Sequence, residues 1–290
     1  MISKSPFKRL WWRLETPVGQ TLLWSIVVFA YLFLHAPTII VMGASLNASS
    51  QYGAISFPPT TFTLARYWEI PASQFHSILL SLKLAFLSAT VGVLLGVPAA
   101  FGLVRSKLPG KGLLAAIFRA PLQIPTVVIG ITFLQLVYAV GDALDLDLSG
   151  SFVGLAVAHC FVATPYVVGA VTAILQRFDG RLEEAAASLG ATPLRTFRRV
   201  TLPLIMPGLY AGALYAFMVS FGDVPISIFL SAPGYMTYPV EIFMGLEQNF
   251  SPTILASATL VILFCFALML FVQRVVGLET LLRIGGTGRR

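Results

Sequence analysis

The sequence predicts an all-α polytopic membrane protein with six spanning helices. Three observations carry this prediction. Of its 290 residues, 57% are hydrophobic and only 11% charged, with a mean hydropathy of +0.85, outside the range of soluble globular domains. The apolar residues come in continuous runs rather than in alternation, and a helical run of about 20 crosses roughly 30 Å of hydrocarbon. Basic residues cluster between alternate runs, as they do when they mark one face of a bilayer.

Six runs qualify as spans, about 21–42, 75–104, 113–140, 151–175, 207–230 and 253–276, and they read as one transmembrane domain over 1–290. The first follows a basic tail of Lys4, Lys8, Arg9 and Arg13. Its apolar stretch is too long for a cleaved secretory signal and further spans follow, so it reads as an uncleaved helix. An even number of spans puts both termini on one side. Placing them in the cytoplasm puts four groups inside: the tail; Arg105, Lys107, Lys111 and Arg119; Arg177, Arg181, Arg195, Arg198 and Arg199; and Arg274, Arg283, Arg289 and Arg290. Of the basic residues, only Arg66 and Lys83 then lie elsewhere, which is the positive-inside asymmetry. The formal charge of +7 is thereby a topology signal, and no nucleic-acid surface is needed to explain it.

The outer connections carry Glu69, Asp142, Asp145, Asp147, Glu241 and Glu247. This acidity either follows from the same topology rule or concentrates cations at an entrance. Trp11 and Trp12 precede the first span and Tyr67 and Trp68 the second, positions suited to the membrane interface. Pro98, Pro121, Pro125 and Pro165 fall within the expected spans, where neighbouring helices can satisfy the freed carbonyls. Gly92 with Gly96 and Gly208 with Gly212 form GxxxG pairs for close helix packing. Cys160 and Cys265 sit in apolar runs with no disulfide or metal spacing, and Asn47-Ala48-Ser49 reads as an ordinary polar loop.

One segment, from Arg177 to Met206, breaks the apolar pattern. Asp179 to Leu189 is rich in helix formers with acids at its start, where the helix dipole favours them. Gly190 supplies a stop able to take positive φ. Thr192 and Pro193 restart a helix as cap and first residue, and this second piece is expected to end near Pro203. A stable amphipathic loop would satisfy these features, but Ala185, Ala186 and Ala187 also offer a flat surface for a close-fitting partner.

Glu184-Ala185-Ala186, three residues, Gly190, nine residues, then Val200-Thr201-Leu202-Pro203 resembles the EAA loop of bacterial ABC importer permeases, with valine in place of isoleucine. The resemblance extends over most of the chain. Ser220-Phe221-Gly222-Asp223-Val224, Pro233-Gly234, Tyr238-Pro239-Val240 and Ser251-Pro252-Thr253 look like the second permease subunit of the spermidine/putrescine-type subgroup. Many polyamine permeases carry two adjacent acids where this chain has Gly222-Asp223. The resemblance implies an ABC type I importer permease architecture in a bacterial inner membrane. It further implies that Glu184, Ala185, Ala186, Gly190, Leu202 and Pro203 couple to an ABC ATPase subunit dimer that carries ATP and Mg. The remaining implied partners are a second permease subunit, usually a different homologous chain, and an extracytoplasmic substrate-binding protein. The chain itself holds no GxxxxGK[ST] phosphate loop, so no cofactor is expected on it.

Ionisable residues within spans are costly and therefore functional candidates. Lys83 and His159 each lie about eight residues in from the outer end of a span and Asp223 about seven, so at about 1.5 Å per residue they can share one level. A structural reading pairs Lys83 with Asp223, or hydrogen-bonds His159 as a neutral ring inside the protein. A functional reading turns Asp223 toward a cationic group of the substrate, with Lys83, His159 and Ser220 along the same path. Asp223 and the acidic outer loops favour a cation or zwitterion as cargo. A self-sufficient secondary transporter or channel would need internal repeats, and none is evident. A membrane enzyme would need a clustered nucleophile, base or ligand set; the lone His159 and separated acids provide none, so neither a catalytic nor a metal site is expected.

Overall fold

The computed structural model describes residues 16–48, 56–248 and 250–276. The basic tail with Trp11 and Trp12, Ser49 of the sequon, and Arg283, Arg289 and Arg290 lie outside the described residues. The described residues are helical, apart from loops and an isolated bridge between Asn47 and Phe62. Among the described residues, six helices are long and apolar enough to cross a membrane.

Helix α1 spans Pro17–Ser45, started by Thr16, whose hydroxyl accepts the Gly19 amide at 3.2 Å. A single turn, α2, covers Ala65–Trp68. Helix α3 runs Ala72–Arg105, 34 residues, or about 51 Å, which exceeds the roughly 30 Å hydrocarbon layer and lets its ends project beyond it. Helices α4 (Lys111–Arg119), α5 (Thr126–Leu144) and α6 (Phe152–Leu175) follow. Helices α7 (Arg181–Ser188) and α8 (Pro193–Thr196) occupy the charged segment. The last four are α9 (Leu202–Phe221), α10 (Pro225–Leu230), α11 (Tyr238–Gln248) and α12 (Thr253–Val276).

Two expected spans are corrected. The run 113–140 is not one helix: α4 ends at Arg119, a 3₁₀ turn covers Ala120–Leu122, and the membrane-length helix begins only at Thr126. Pro121 lies in that 3₁₀ turn, with Ala120 before it still in helical geometry, and Pro125, with ψ of 129°, immediately precedes the membrane-length helix; neither has an amide to donate to an α-helical ladder. The run 207–230 is likewise broken at Gly222–Val224, between α9 and α10. Nor does the second piece of the charged segment end near Pro203. A π-helical turn over Phe197–Thr201 joins α8 to α9, with the Leu202 amide bonded to the Phe197 carbonyl five residues back. Pro203 cannot donate to a carbonyl four residues earlier, and the wider turn carries the chain past that missing bond.

The described residues divide into two compact units, one of 16–48 and 56–70 with 250–264 and one of 71–248 with 265–276. In the first, the Tyr67 and Ser45 hydroxyls are 2.7 Å apart, Arg66 pairs with Glu69 at 3.3 Å, and Asn47 is buried, bonded to Ser56 and Thr61.

In the second unit α6 is central, packed by α3 on one side and α9 on another. Both GxxxG pairs serve these contacts within the chain. A Cβ built at Gly96 would come within 2.9 Å of Val167 Cβ, and one at Gly212 within 2.9 Å of Val167 Cα. Gly208 lies against Ile174 and the Ala170 carbonyl. Gly130 of α5 admits α10 in the same way, since a Cβ there would meet the Pro225 carbonyl at 2.9 Å. A core of Leu84, Ile129, Phe133, Leu155, Ala158 and Ile226 then closes between α3, α5, α6 and α10.

Candidate functional site

Two groups of residues stand out, one on the α7 loop and one in the interior of the second unit. Helix α7 begins with Asp179 accepting the Arg181 amide at 3.0 Å. It ends in a Schellman arrangement, with the Gly190 amide bonded to the Ala187 carbonyl at 2.9 Å and the Ala191 amide to Ala186 at 3.0 Å. Gly190 has φ of 81°, with open space where a side chain would be. Thr192 caps α8 by accepting the Arg195 amide at 3.4 Å.

Glu183 fixes the orientation of α7. Its Oε1 accepts from Arg105 Nη2 at 2.9 Å and from the Thr201 hydroxyl. The Arg105 guanidinium lies 4.9 Å from the centre of the Phe101 ring and 5.3 Å from that of Phe178, so it is held by two cation–π contacts as well as by the acid. One carboxylate thus ties α7 to the end of α3 and to the π turn leading into α9. With that side engaged, Glu184 and Ala185 are exposed, Ala186 is half-buried, and Leu189 is 89% exposed. Leu202 is half-buried and Pro203 exposed. Sequence reasoning found the loop but missed the Glu183–Arg105–Thr201 clasp, because Arg105 and Glu183 are 78 positions apart.

The interior group forms around His159, which is 2% exposed. Its Nδ1 lies 2.9 Å from Ser220 Oγ and its Nε2 3.0 Å from Ser227 Oγ. Asp223 Oδ2 accepts the Ile226 and Ser227 amides at 3.0 and 2.9 Å and the Ser227 hydroxyl at 3.2 Å, and lies 4.0 Å from His159 Nε2. An aspartate at this position satisfies the free amides at the start of α10, as an N-terminal cap does. The trio of serine, histidine and aspartate is not arranged as a proton relay. Nδ1 faces a serine rather than the acid that would orient the ring, and Ser227 is fully buried. What the cluster does is join α6, α9 and α10 by hydrogen bonds.

Of the four candidates along the expected path, the structure gathers His159, Ser220 and Asp223. Lys83 stands apart from them. It is exposed, and the Lys83–Asp223 pair does not form, because Lys83 makes no hydrogen bond or ion pair among the described residues. Its neighbour Leu84 packs with Ala158 and Ile226, so Lys83 lies at the level of the His159 cluster, on the outer face of α3. No three acidic, histidine or cysteine side chains gather as a metal site among the described residues.

Comparison with known proteins agrees with this architecture. A family model described as "binding-protein-dependent transport system inner membrane component" matches residues 92–278. The chain is 34% identical to the putrescine transport system permease protein PotI of Escherichia coli K12 over 244 residues, covering 82% of this chain and 85% of that protein. It is 30% identical to the spermidine/putrescine transport system permease protein PotC of Haemophilus influenzae over 247 residues, covering 85% and 92%. Among solved structures, a bacterial ABC transporter involved in the import of the acidic polysaccharide alginate superimposes with a TM-score of 0.63 at 16% identity, covering 95% of this chain and 98% of that one.

Proposed function

This chain belongs to the family of binding-protein-dependent transport system inner membrane components, and we propose that it is the permease subunit of an ATP-driven importer of a small organic cation or zwitterion, polyamine-like in chemistry. The observation that carries the proposal is the α7 surface. Glu184 and Ala185 of α7, and Leu189 just after it, are exposed, while Glu183 clasps the helix to α3 and to the π turn that leads into α9, as a docking element for a separate ATPase requires. The ATPase pair supplies ATP and Mg, a second permease chain completes the path, and an external binding protein delivers the cargo. Both termini lie in the cytoplasm, on the side of α7, as the distribution of arginine and lysine supports.

The clasp gives the coupling its mechanics. Closure of the ATPase pair on nucleotide pushes α7. Because Glu183 holds both Arg105 of α3 and Thr201 before α9, that push moves two helices together. Helix α3 carries Lys83 and α9 leads to Asp223, so the displacement reaches the level of the candidate path and switches it between two arrangements. Lys83 on an exposed, otherwise apolar membrane face is costly toward lipid and is accounted for if this face meets the path or the second permease. Asp223 Oδ2 is engaged by α10, while Oδ1 has no partner among the described residues and is available to a cationic substrate.

Reconstitution into vesicles tests the reading. Uptake of labelled putrescine is expected only when the second permease chain is reconstituted with this one, with the ATPase subunits and nucleotide on one side and the binding protein on the other. Uptake by this chain alone, driven by an ion gradient, would overturn it in favour of a secondary transporter.

A further inference from the structure

A cavity of about 230 Å³ opens between α3, α4 and α6, at the end of the molecule where α6 leads into the α7 loop and away from the His159 cluster. Lys111 and Arg119 line it from α4, Gly169 and Thr172 from α6, and Gln176 from just beyond the end of α6; no acid is among its lining residues. Arg119 has no hydrogen bond or ion pair among the described residues, and Lys111 makes one bond, to the Val104 carbonyl at 3.4 Å. Thr172 is 7% exposed, and its hydroxyl has no hydrogen-bond partner. A buried hydroxyl without a partner loses hydration for nothing in return. Two cations beside it without an acid make a site with unused positive charge and an unused donor.

Helix α4 shows where this site sits. Its outer side carries Leu113 and Ile117, 69% and 57% exposed, while Lys111, Ala115 and Phe118 are half-buried on the cavity side. An apolar outward face on a short helix that joins two membrane helices matches one lying in the interface, its leucines in the acyl layer. The cavity then lies at the depth of lipid phosphates. Basic pockets at this depth take anionic head groups.

We propose that this cavity is a binding site for a phosphate group, with Lys111 and Arg119 supplying the charge and the Thr172 hydroxyl and Gln176 amide donating hydrogen bonds. A phosphate diester of an anionic phospholipid and a soluble phosphate share this chemistry. The inference rests on the membrane-spanning reading above and is independent of the transported substrate.

The test uses the full chain purified in detergent and washed free of lipid, then mixed with labelled phosphatidylglycerol, phosphatidylcholine or inorganic phosphate in separate arms. Saturable retention of phosphatidylglycerol over phosphatidylcholine is expected, with Arg119→Gln and Lys111→Gln each weakening it about fivefold, the effect of roughly 1 kcal/mol per cation near a charged surface. Saturable binding of inorganic phosphate, weakened by the same variants, would identify a soluble source instead. Gly169→Leu fills the cavity without changing charge, and a Cβ there meets nothing within 4 Å, so this variant is expected to fold and to lose binding. If Gly169→Leu binds like the wild type, or if neither phosphate compound is retained above the phosphatidylcholine level, the site does not exist. Uptake assays on the same purified chain, reconstituted into vesicles with its partner subunits, separate the two readings: lipid retention without ATP-driven transport would defeat the importer alone, and the converse would defeat this site alone.

Discussion

Arg105 Nη2 lies 2.9 Å from Glu183 Oε1, and through that contact the end of a membrane helix holds the start of an exposed loop helix. The pair is partly exposed, 38% and 23% by side chain, so its contribution to stability is about 1 kcal/mol or less. Its value lies in direction: the Thr201 hydroxyl shares the same oxygen, so α7 cannot tilt without carrying both α3 and the turn into α9.

Replacing Glu183 with alanine is therefore expected to leave the folded chain in the membrane while lowering substrate-stimulated ATP hydrolysis by the assembled complex severalfold. A cycle of Arg105→Met, Glu183→Gln and the double variant, read by thermal unfolding, should give a coupling of about 0.5–1 kcal/mol. Independent effects of the two changes would mean that the clasp does not act in solution.

Gly190 is a second handle on the same element. At φ of 81° a β-branched residue is strained although nothing obstructs its side chain, so Gly190→Val should cost about 1–2 kcal/mol locally and weaken co-purification of the ATPase. Gly190→Asn, which tolerates this region, should retain it. Equal behaviour of the two variants would remove the backbone argument.

The glycine contacts on α6 make a paired prediction. Gly96→Ala and Gly212→Ala both overpack, each at about 1–3 kcal/mol, measured as a fall in the detergent melting temperature. Val167→Ala should relieve Gly96→Ala only in part, because it removes Cγ1 at 3.0 Å but keeps Cβ at 2.9 Å and the Val168 amide nitrogen at 3.2 Å, and it should not relieve Gly212→Ala, whose nearest obstruction is Val167 Cα at 2.9 Å.

Asp223→Asn keeps an oxygen to accept the Ile226 and Ser227 amides and removes the charge. Melting temperature is expected to change little while uptake of a cationic substrate falls about tenfold, the loss of roughly 1.4 kcal/mol of attraction. Unchanged uptake and selectivity would leave Asp223 as a cap of α10 alone.

The sequence by itself determined what depends on local composition and spacing. Three of the six long helices, Pro17–Ser45, Ala72–Arg105 and Phe152–Leu175, match an expected run with ends shifted by a few residues, and the last runs Thr253–Val276 as read from hydropathy, because the length of a span is set by the thickness of the layer it crosses. The Gly190 turn and the Thr192 cap were legible for the same reason: each is satisfied by atoms within a few positions. Tertiary structure decided the rest. A hydropathy window averages across Pro121, Pro125 and Gly222, so the breaks before α5 and after α9 emerged only when the backbone had to find hydrogen-bond partners. Hydropathy also cannot tell a paired charge from an isolated one. The fold gave Asp223 to the amides of α10, brought His159 to Ser220 and Ser227, left Lys83 on an outer face, and joined Arg105 to Glu183 across the chain. Pairings between residues tens of positions apart depend on which helix faces meet, and steric fit at Gly96, Gly130 and Gly212 selects those faces.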